Sequence, residues 1–173
     1  MAYSTGDVIF SCEPWVYSVN ADQADERCHR CLASPLATGT DLIVCPGCGY
    51  AKYCSQFCSD EDLELRHRLE CSSMKNLNTS GYGDIIPTDI LLAIRILIRL
   101  QSGNSDKCVV TGRSFESLMA HEKDLLADSS RLEEIRFFYS ILTSEVLQNF
   151  PNFSLDFTLF VQVMGKLQCN AFG

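Results

Sequence analysis

The pattern of apolar and polar positions divides the chain into three parts. Residues 7–19, "DVIFSCEPWVYSV", are rich in β-branched and aromatic residues and are split by Pro14, which predicts two short extended segments around a bend. Residues 20–27 form a polar, acidic connection. From 28 to 71 hydrophobic periodicity almost vanishes, apart from a short helix expected near 55–70. "NLNTSGYGDIIP" (76–87) reads as a loop from its Asn, Ser, Gly and Pro content, and Gly81-Tyr82-Gly83 within it as a plain turn, since no strand precedes it and no GxGxxG pattern follows. Beyond it the pattern becomes helical. Thr88 or Asp89 is placed to cap a helix running to about Gln101 and ended by Gly103, and a second helix is expected over 115–126. In a third, Leu132, Ile135, Phe138, Tyr139, Leu142 and Val146 recur at three- and four-residue spacing, and Ser154 is placed to cap a fourth.

Composition narrows the class. With 46% hydrophobic and 21% charged residues the chain is globular rather than disordered. Its longest apolar run, "ILLAIRILIRL" (90–100), is interrupted by Arg95 and Arg99 and is about half of the ~20 residues a bilayer requires, so it is expected as a buried helix, with no membrane partner. A net charge of −8 disfavours nucleic acid, because phosphate neutralisation needs a basic face. The N-terminus lacks the basic and apolar regions of a secretory signal, so the expected compartment is reducing, which disfavours disulfides.

That matters because seven of the ten cysteines lie between 28 and 71. With gaps written out, the segment is Cys28-x2-Cys31-x13-Cys45-x2-Cys48-x5-Cys54-x3-Cys58-x8-His67-x3-Cys71. A C-x2-C turn brings two thiolates to one side of a knuckle, and the i,i+4 pairs Cys54/Cys58 and His67/Cys71 share a helix face. Eight ligands in four pairs account for two tetrahedral zinc ions. Spacing alone leaves open whether consecutive pairs close one site or alternate pairs interleave. A redox reading of Cys45-Pro46-Gly47-Cys48 would need a βαβ context that is absent, and a catalytic zinc would leave a ligand position open. The expected role is structural, since 44 residues bury little core and each such zinc supplies on the order of 10 kcal/mol of apparent folding energy. His29 and His121 are expected at the surface, Cys12, Cys108 and Cys169 as buried thiols, and Trp15 in the core.

The stretches C-P-x-C, A-K-Y-C-S-x-x-C and "HRLEC" resemble the MYND zinc finger, in which the sites interleave. Carried onto this chain, the resemblance implies Cys28, Cys31, Cys54 and Cys58 at one zinc, and Cys45, Cys48, His67 and Cys71 at the other. "TGDVIFSCEPWVYSV" before the finger, and "FTLFVQVMGKLQCNAF" near the C-terminus, resemble the SET and MYND domain family of protein-lysine methyltransferases. One local departure is Glu64, where that family often has Trp.

The implied fold is α+β: N-terminal SET-type strands and connection (1–27), the MYND finger (28–71), a linker loop (72–87) and a helical region (88–173), with the SET core incomplete. The family's Gly-x-Gly segment, its Asn-His-Ser-Cys motif and its later catalytic Tyr have no counterpart, and Asn170 alone matches a position that approaches S-adenosylmethionine. The resemblance therefore implies an N-terminal portion of a protein (histone) lysine methyltransferase that acts through zinc-dependent protein interaction and does not methylate by itself. A stand-alone, non-catalytic MYND adaptor is the alternative. Implied partners are proline-rich peptides, taken by Tyr50, Tyr53, Gln56 and Phe57, with Phe57 also expected to pack around zinc. A histone or other lysine-bearing substrate, and S-adenosylmethionine, are implied only for a full-length member. The implied location is nucleus and cytoplasm.

Overall fold

The computed structural model describes residues 3–11, 13–83, 85–103, 107–108, 110–150 and 153–171. In chain order the elements are α1 (Pro35–Thr38), β1 (Ile43–Val44), β2 (Lys52–Tyr53), α2 (Gln56–Asp62), α3 (Arg68–Thr79), α4 (Thr88–Gln101), α5 (Glu122–Ala127), α6 (Ser129–Ile141) and α7 (Phe157–Asn170). The one sheet among the described residues is the antiparallel pair β1–β2, in register Ile43 to Tyr53 and Val44 to Lys52.

Two expectations for the N-terminal half are corrected. The described residues of 1–27 contain no strand, only a 3-10 turn at Ala21–Gln23. An extended segment becomes a strand only beside a partner edge, and residues 13–19 lie instead against α4. Nor is 72–87 a linker loop throughout. The finger's helix continues through a π-helical turn at Leu63–His67 into α3, because Met74 and Leu77 extend its buried face, and only 80–87 leaves the helix.

The 90–100 run forms α4 as expected, with Ile90, Leu91, Ala93, Ile94, Ile96 and Leu97 buried. Thr88 does not cap it. Pro87 holds the N-cap position, and the Thr88 hydroxyl accepts the backbone N–H of Ala21 at 3.0 Å. Gly103, at φ +70°, ends the helix in the left-handed conformation that suits glycine. In α6 the apolar stripe holds, with Ile135, Phe138 and Ile141 buried, and it passes through a second π-helical turn (Leu142–Val146) that buries Leu142 and Val146. The carboxylates of Asp128 and Asp156 cap α6 and α7 by accepting from Arg131 and Thr158, at 3.1 and 3.3 Å, so Ser154 is not the cap.

The helix expected over 115–126 shortens to α5. The carbonyls of Phe115 and Glu116 accept from the Lys166 ammonium at 3.1 and 3.2 Å, and His121 takes a left-handed φ of +48°. Phe115 is thereby free to stack on Trp15, ring centroids 4.8 Å apart. Cys108 is half-exposed and Cys169 exposed, not buried; Cys12 lies outside the described residues.

Where 120–121 crosses α7, backbone meets backbone. A Cβ on Gly165 would lie 1.8 Å from the carbonyl oxygen of Ala120. In an open helix Gly→Ala gains about 1 kcal/mol. Here Gly165→Ala is expected to destabilise the chain by about 1–3 kcal/mol, because rigid backbone must move, and urea denaturation monitored by circular dichroism measures the sign.

Candidate metal centres

Two C-x2-C turns and one long helix supply the eight expected ligands. At the first turn the N–H of Cys28 donates to Ala33 and that of Leu32 to Cys28. Leu32 adopts φ +63° to close it. At the second, Cys45 N–H donates to Ala51 and Gly49 N–H to Cys45, while the N–H groups of Tyr50 and Ala51 point at the Cys48 sulfur, each at 3.4 Å. The hydroxyl of Ser55 caps α2 by accepting from Cys58 N–H at 3.2 Å, which fixes where Cys58 lies relative to Cys54. His67 ends the π-helical turn, and Cys71 follows on α3.

Alternate pairs meet. Cys28, Cys31, Cys54 and Cys58 form one cluster and Cys45, Cys48, His67 and Cys71 the other, with the donor atoms of each within 4.8 Å of one another. Zn–S bonds of ~2.3 Å in a tetrahedron put sulfurs about 3.8 Å apart. In the first cluster Cys31–Cys54 and Cys54–Cys58 are 3.5 and 3.6 Å apart. In the second, Cys45–Cys71 is 3.9 Å, and Nε2 of His67 lies 3.3 Å from Cys45 and 3.6 Å from Cys48. These spacings exceed a disulfide and suit four donors around one ion, so the residues fit zinc. The second cluster is the more enclosed, since Cys45, Cys48 and His67 are buried whereas Cys31 of the first is exposed.

The thiols carry the mark of crowded like charges. Burial raises the Cys48 thiol, but hydrogen bonds from His67 and from the Ala51 and Tyr50 N–H groups outweigh it and bring it to about 7. Cys71, raised by burial and by the neighbouring Cys48 and Cys45, goes to about 12. Burial likewise opposes Cys28, and the backbone N–H groups of Cys31, Cys54 and Arg30 lower it to about 7, while Cys54 rises to about 12 through burial and its hydrogen bonds to neighbouring thiols. Four such groups cannot all ionise together unless a cation joins them.

Behind the second cluster lies a charged layer that the ligand spacing does not reveal. Nδ1 of His67 faces Oε1 of the buried Glu70 at 3.4 Å. Glu70 receives two further bonds from Arg95 on α4, at 2.9 and 2.8 Å. Burial alone would raise the Glu70 carboxyl, but the Arg95 charge, with hydrogen bonds from His67 and Arg95, holds it well below its ordinary value. Arg95 also donates to the carbonyl of Tyr17, and Arg99 to that of Trp15. A parallel set surrounds Asp62. It accepts from the Tyr53 hydroxyl at 2.9 Å and pairs with Arg66 at 2.6 Å, and Arg66 lies over the Tyr17 ring and donates to the carbonyl of His29. Asp62 and Glu70 lie close to His67 as a possible third donor group, but each carboxylate is already matched by an arginine, so they support the site.

Several expectations shift accordingly. His29 is buried, not at the surface, with Nε2 3.3 Å from the carbonyl of Ala24. Tyr53 is fully buried on Asp62 and leaves the expected peptide surface, whereas Phe57 is 70% exposed and does not pack around the metal. His121 is exposed beside Asp124, at the N-terminus of α5 rather than within a helix. Asn170, at the end of α7, donates its amide to the carbonyls of Lys166 and Met119 at 2.8 and 3.5 Å. The pair Arg95 and Arg99, four apart in an apolar run, was the sequence signal for the charged layer.

A finger with two interleaved four-donor clusters, built on two knuckles and a helix and backed by a helical region, is the class these features define. Residues 23–71 match the family model for the MYND finger. Human protein-lysine N-methyltransferase SMYD4 is 47% identical over 55 residues, 32% of this chain and 6% of that protein. Pig N-lysine methyltransferase SMYD2 is 30% identical over 182 aligned residues, 98% of this chain and 36% of that protein, and mouse histone-lysine N-methyltransferase SMYD3 is 26% identical over 171, 96% and 37%. The finger match and the similarity to the pig and mouse relatives along nearly the whole chain support a member of the SET and MYND domain family. The chain spans little more than a third, or less, of the length of these relatives.

The buried pair makes a quantitative expectation. Arg95→Met strands the Glu70 charge and should cost about 3–5 kcal/mol, whereas Glu70→Gln with Arg95→Met should cost less than Arg95→Met alone. Because the folded Glu70 carboxyl is held below its ordinary 4.5, its contribution is complete above that pH and is lost as pH falls through the lower folded value. Urea denaturation at pH 7 and on the acid side, for wild type and both variants, measures each part.

Proposed function

We propose that this chain is the zinc-dependent protein-interaction region of a SET and MYND protein-lysine methyltransferase. The observation that carries the reading is the interleaved closure of the two clusters, each with four protein donors at tetrahedral spacing. Cys28, Cys31, Cys54 and Cys58 hold one zinc, and Cys45, Cys48, His67 and Cys71 the other. With all four positions taken by protein, the ions supply folding energy and leave no position for an activated water.

Zinc frees the finger from building an apolar core, so apolar side chains are left outside. Phe57 on α2, Ile43 and Val44 on β1, and Leu36 on α1 are exposed. With the half-buried Tyr50 and exposed Gln56 they offer an aromatic and aliphatic surface of the kind that accepts extended, proline-rich peptides. The net charge of −8 disfavours nucleic acid as the partner, and no helix of the described residues is long and apolar enough to cross a membrane.

Methyl transfer from S-adenosylmethionine to a histone or other lysine, in the nucleus or cytoplasm, is proposed for the longer protein from its similarity to such enzymes. Asn170 would contribute there as a cofactor contact. One amide that already donates to two carbonyls does not form a nucleoside pocket by itself.

Elemental analysis should give two zinc ions per chain, and chelation should melt 28–71 before the α4–α7 core. One ion, or none, contradicts the assignment. Proline-rich peptides should shift the amide resonances of Tyr50, Gln56 and Phe57. Phe57→Ala should weaken peptide binding about tenfold without altering zinc content, as expected for an exposed anchor. Shifts confined to the C-terminal helices would count against the surface.

A further inference from the structure

We infer that Glu70 and Arg95 make the metal of the Cys45/Cys48/His67/Cys71 cluster and the seating of residues 13–19 on α4 mutually dependent. The inference rests on the zinc assignment above and adds to it a path between one metal and a distant part of the chain.

An imidazole can bind metal through either nitrogen, and the partner of the other nitrogen decides which. Here Nε2 faces Cys45 and Cys48, and Nδ1 faces Glu70. With the metal on Nε2, Nδ1 carries the proton and donates it to the carboxylate. Glu70 has no freedom to drift, because it is buried and takes two bonds from one guanidinium, at 2.9 and 2.8 Å. That guanidinium is planar and rigid, and its remaining terminal nitrogen donates to the carbonyl of Tyr17. A displacement of residues 13–19 therefore moves Arg95, then Glu70, then the ring that holds the metal. Arg99, one turn further along α4, holds the Trp15 carbonyl and lies over the Trp15 ring at 4.8 Å, so that side chain reports whether the segment is seated.

The Cys28/Cys31/Cys54/Cys58 cluster lacks such a path. Its links to the segment end on knuckle backbone: the Tyr17 hydroxyl donates to the carbonyl of Arg30 at 2.6 Å, and Arg66, which lies over the Tyr17 ring, donates to the carbonyl of His29, so among the described residues no ligand side chain takes part. Coupling between sites is reciprocal: whatever the metal contributes to seating the segment, the seated segment returns as metal affinity.

The test uses the full chain loaded with zinc. Chelator competition reads each ion's affinity, cobalt substitution distinguishes the three-sulfur, one-nitrogen site from the four-sulfur site by its absorption bands, and the single tryptophan gives the fluorescence signal. Wild type is measured first, and a chain without zinc would overturn the zinc assignment itself. Glu70→Leu is made together with Arg95→Met, so that no charge is stranded. It should lower affinity at the mixed site by about tenfold or more, as loss of a partner behind a metal ligand does, and leave the other site unchanged. Glu70→Gln keeps an acceptor for Nδ1 and should recover part of the loss. Trp15 emission should shift when the mixed-site metal leaves and in Cys71→Ser, but not in Cys31→Ser. Equal weakening of both sites, no weakening in the double variant, or Trp15 emission indifferent to the mixed-site metal would overturn the inference.

Discussion

The ion pair between Glu70 and Arg95 is the contact on which the arrangement of the chain turns. It joins the finger's helix to the first helix behind it, and both groups are nearly out of water. Desolvating two charges costs several kcal/mol each, and an apolar pair of the same volume would often be as stable. What the pair supplies is position. Glu70 can be satisfied only where Arg95 reaches it with two nitrogens, and Arg95 is spent fully only where the Tyr17 carbonyl also arrives. Three segments far apart in sequence are thereby held in one register, which apolar packing alone would specify less sharply.

The finger needs such an external fix because its interior is made of sulfur and charge. Its buried residues include Cys28, Cys45, Cys48 and Cys58, together with Asp62, His67 and Glu70. Tyr53 is its one large, fully buried aromatic, and even that ring ends on a carboxylate. An interior of this kind gains little from the hydrophobic effect and depends on bonds of defined direction. The π-helical turn at Leu63–His67 belongs to the same logic. It lies between Asp62, which serves the Tyr53 and Arg66 contacts, and His67, which serves the cluster, and such turns inside helices are frequent at functional sites.

Legibility from sequence followed the range of the forces. The ligand pairs were readable because each is local: two residues of spacing make a knuckle, and four residues share a helix face. Helix α6 was readable from periodicity for the same reason, while α4 and α7 were expected from cap signals and form with Pro87 and Asp156 at the N-cap instead. The loop expected at 76–87 lost its first residues to α3 because Met74 and Leu77 have partners distant in sequence, and the helix expected over 115–126 gave way to Lys166 and Gly165, some 50 residues on. Glu70, three residues after His67, carries no ligand spacing that marks it. Nothing within several residues of it announces Arg95, since the pairing exists only once α3 meets α4.

Helix α4 shows how one element can satisfy two kinds of neighbour. Ile90, Ala93, Ile94 and Leu97 enter the apolar core shared with α7, where Phe160, Val161 and Met164 are buried, and these contacts tolerate sliding because dispersion is non-directional. Arg95 and Arg99 face residues 13–19 and Glu70, and their hydrogen bonds do not tolerate sliding. A helix with only the first face would dock in several rotations; one with only the second would have no core behind it. The same arginines that break the run's hydrophobicity are thus what fixes its rotation. The exposed Val8, Ile9 and Phe10 precede that clamp, whose first contact is the Trp15 carbonyl.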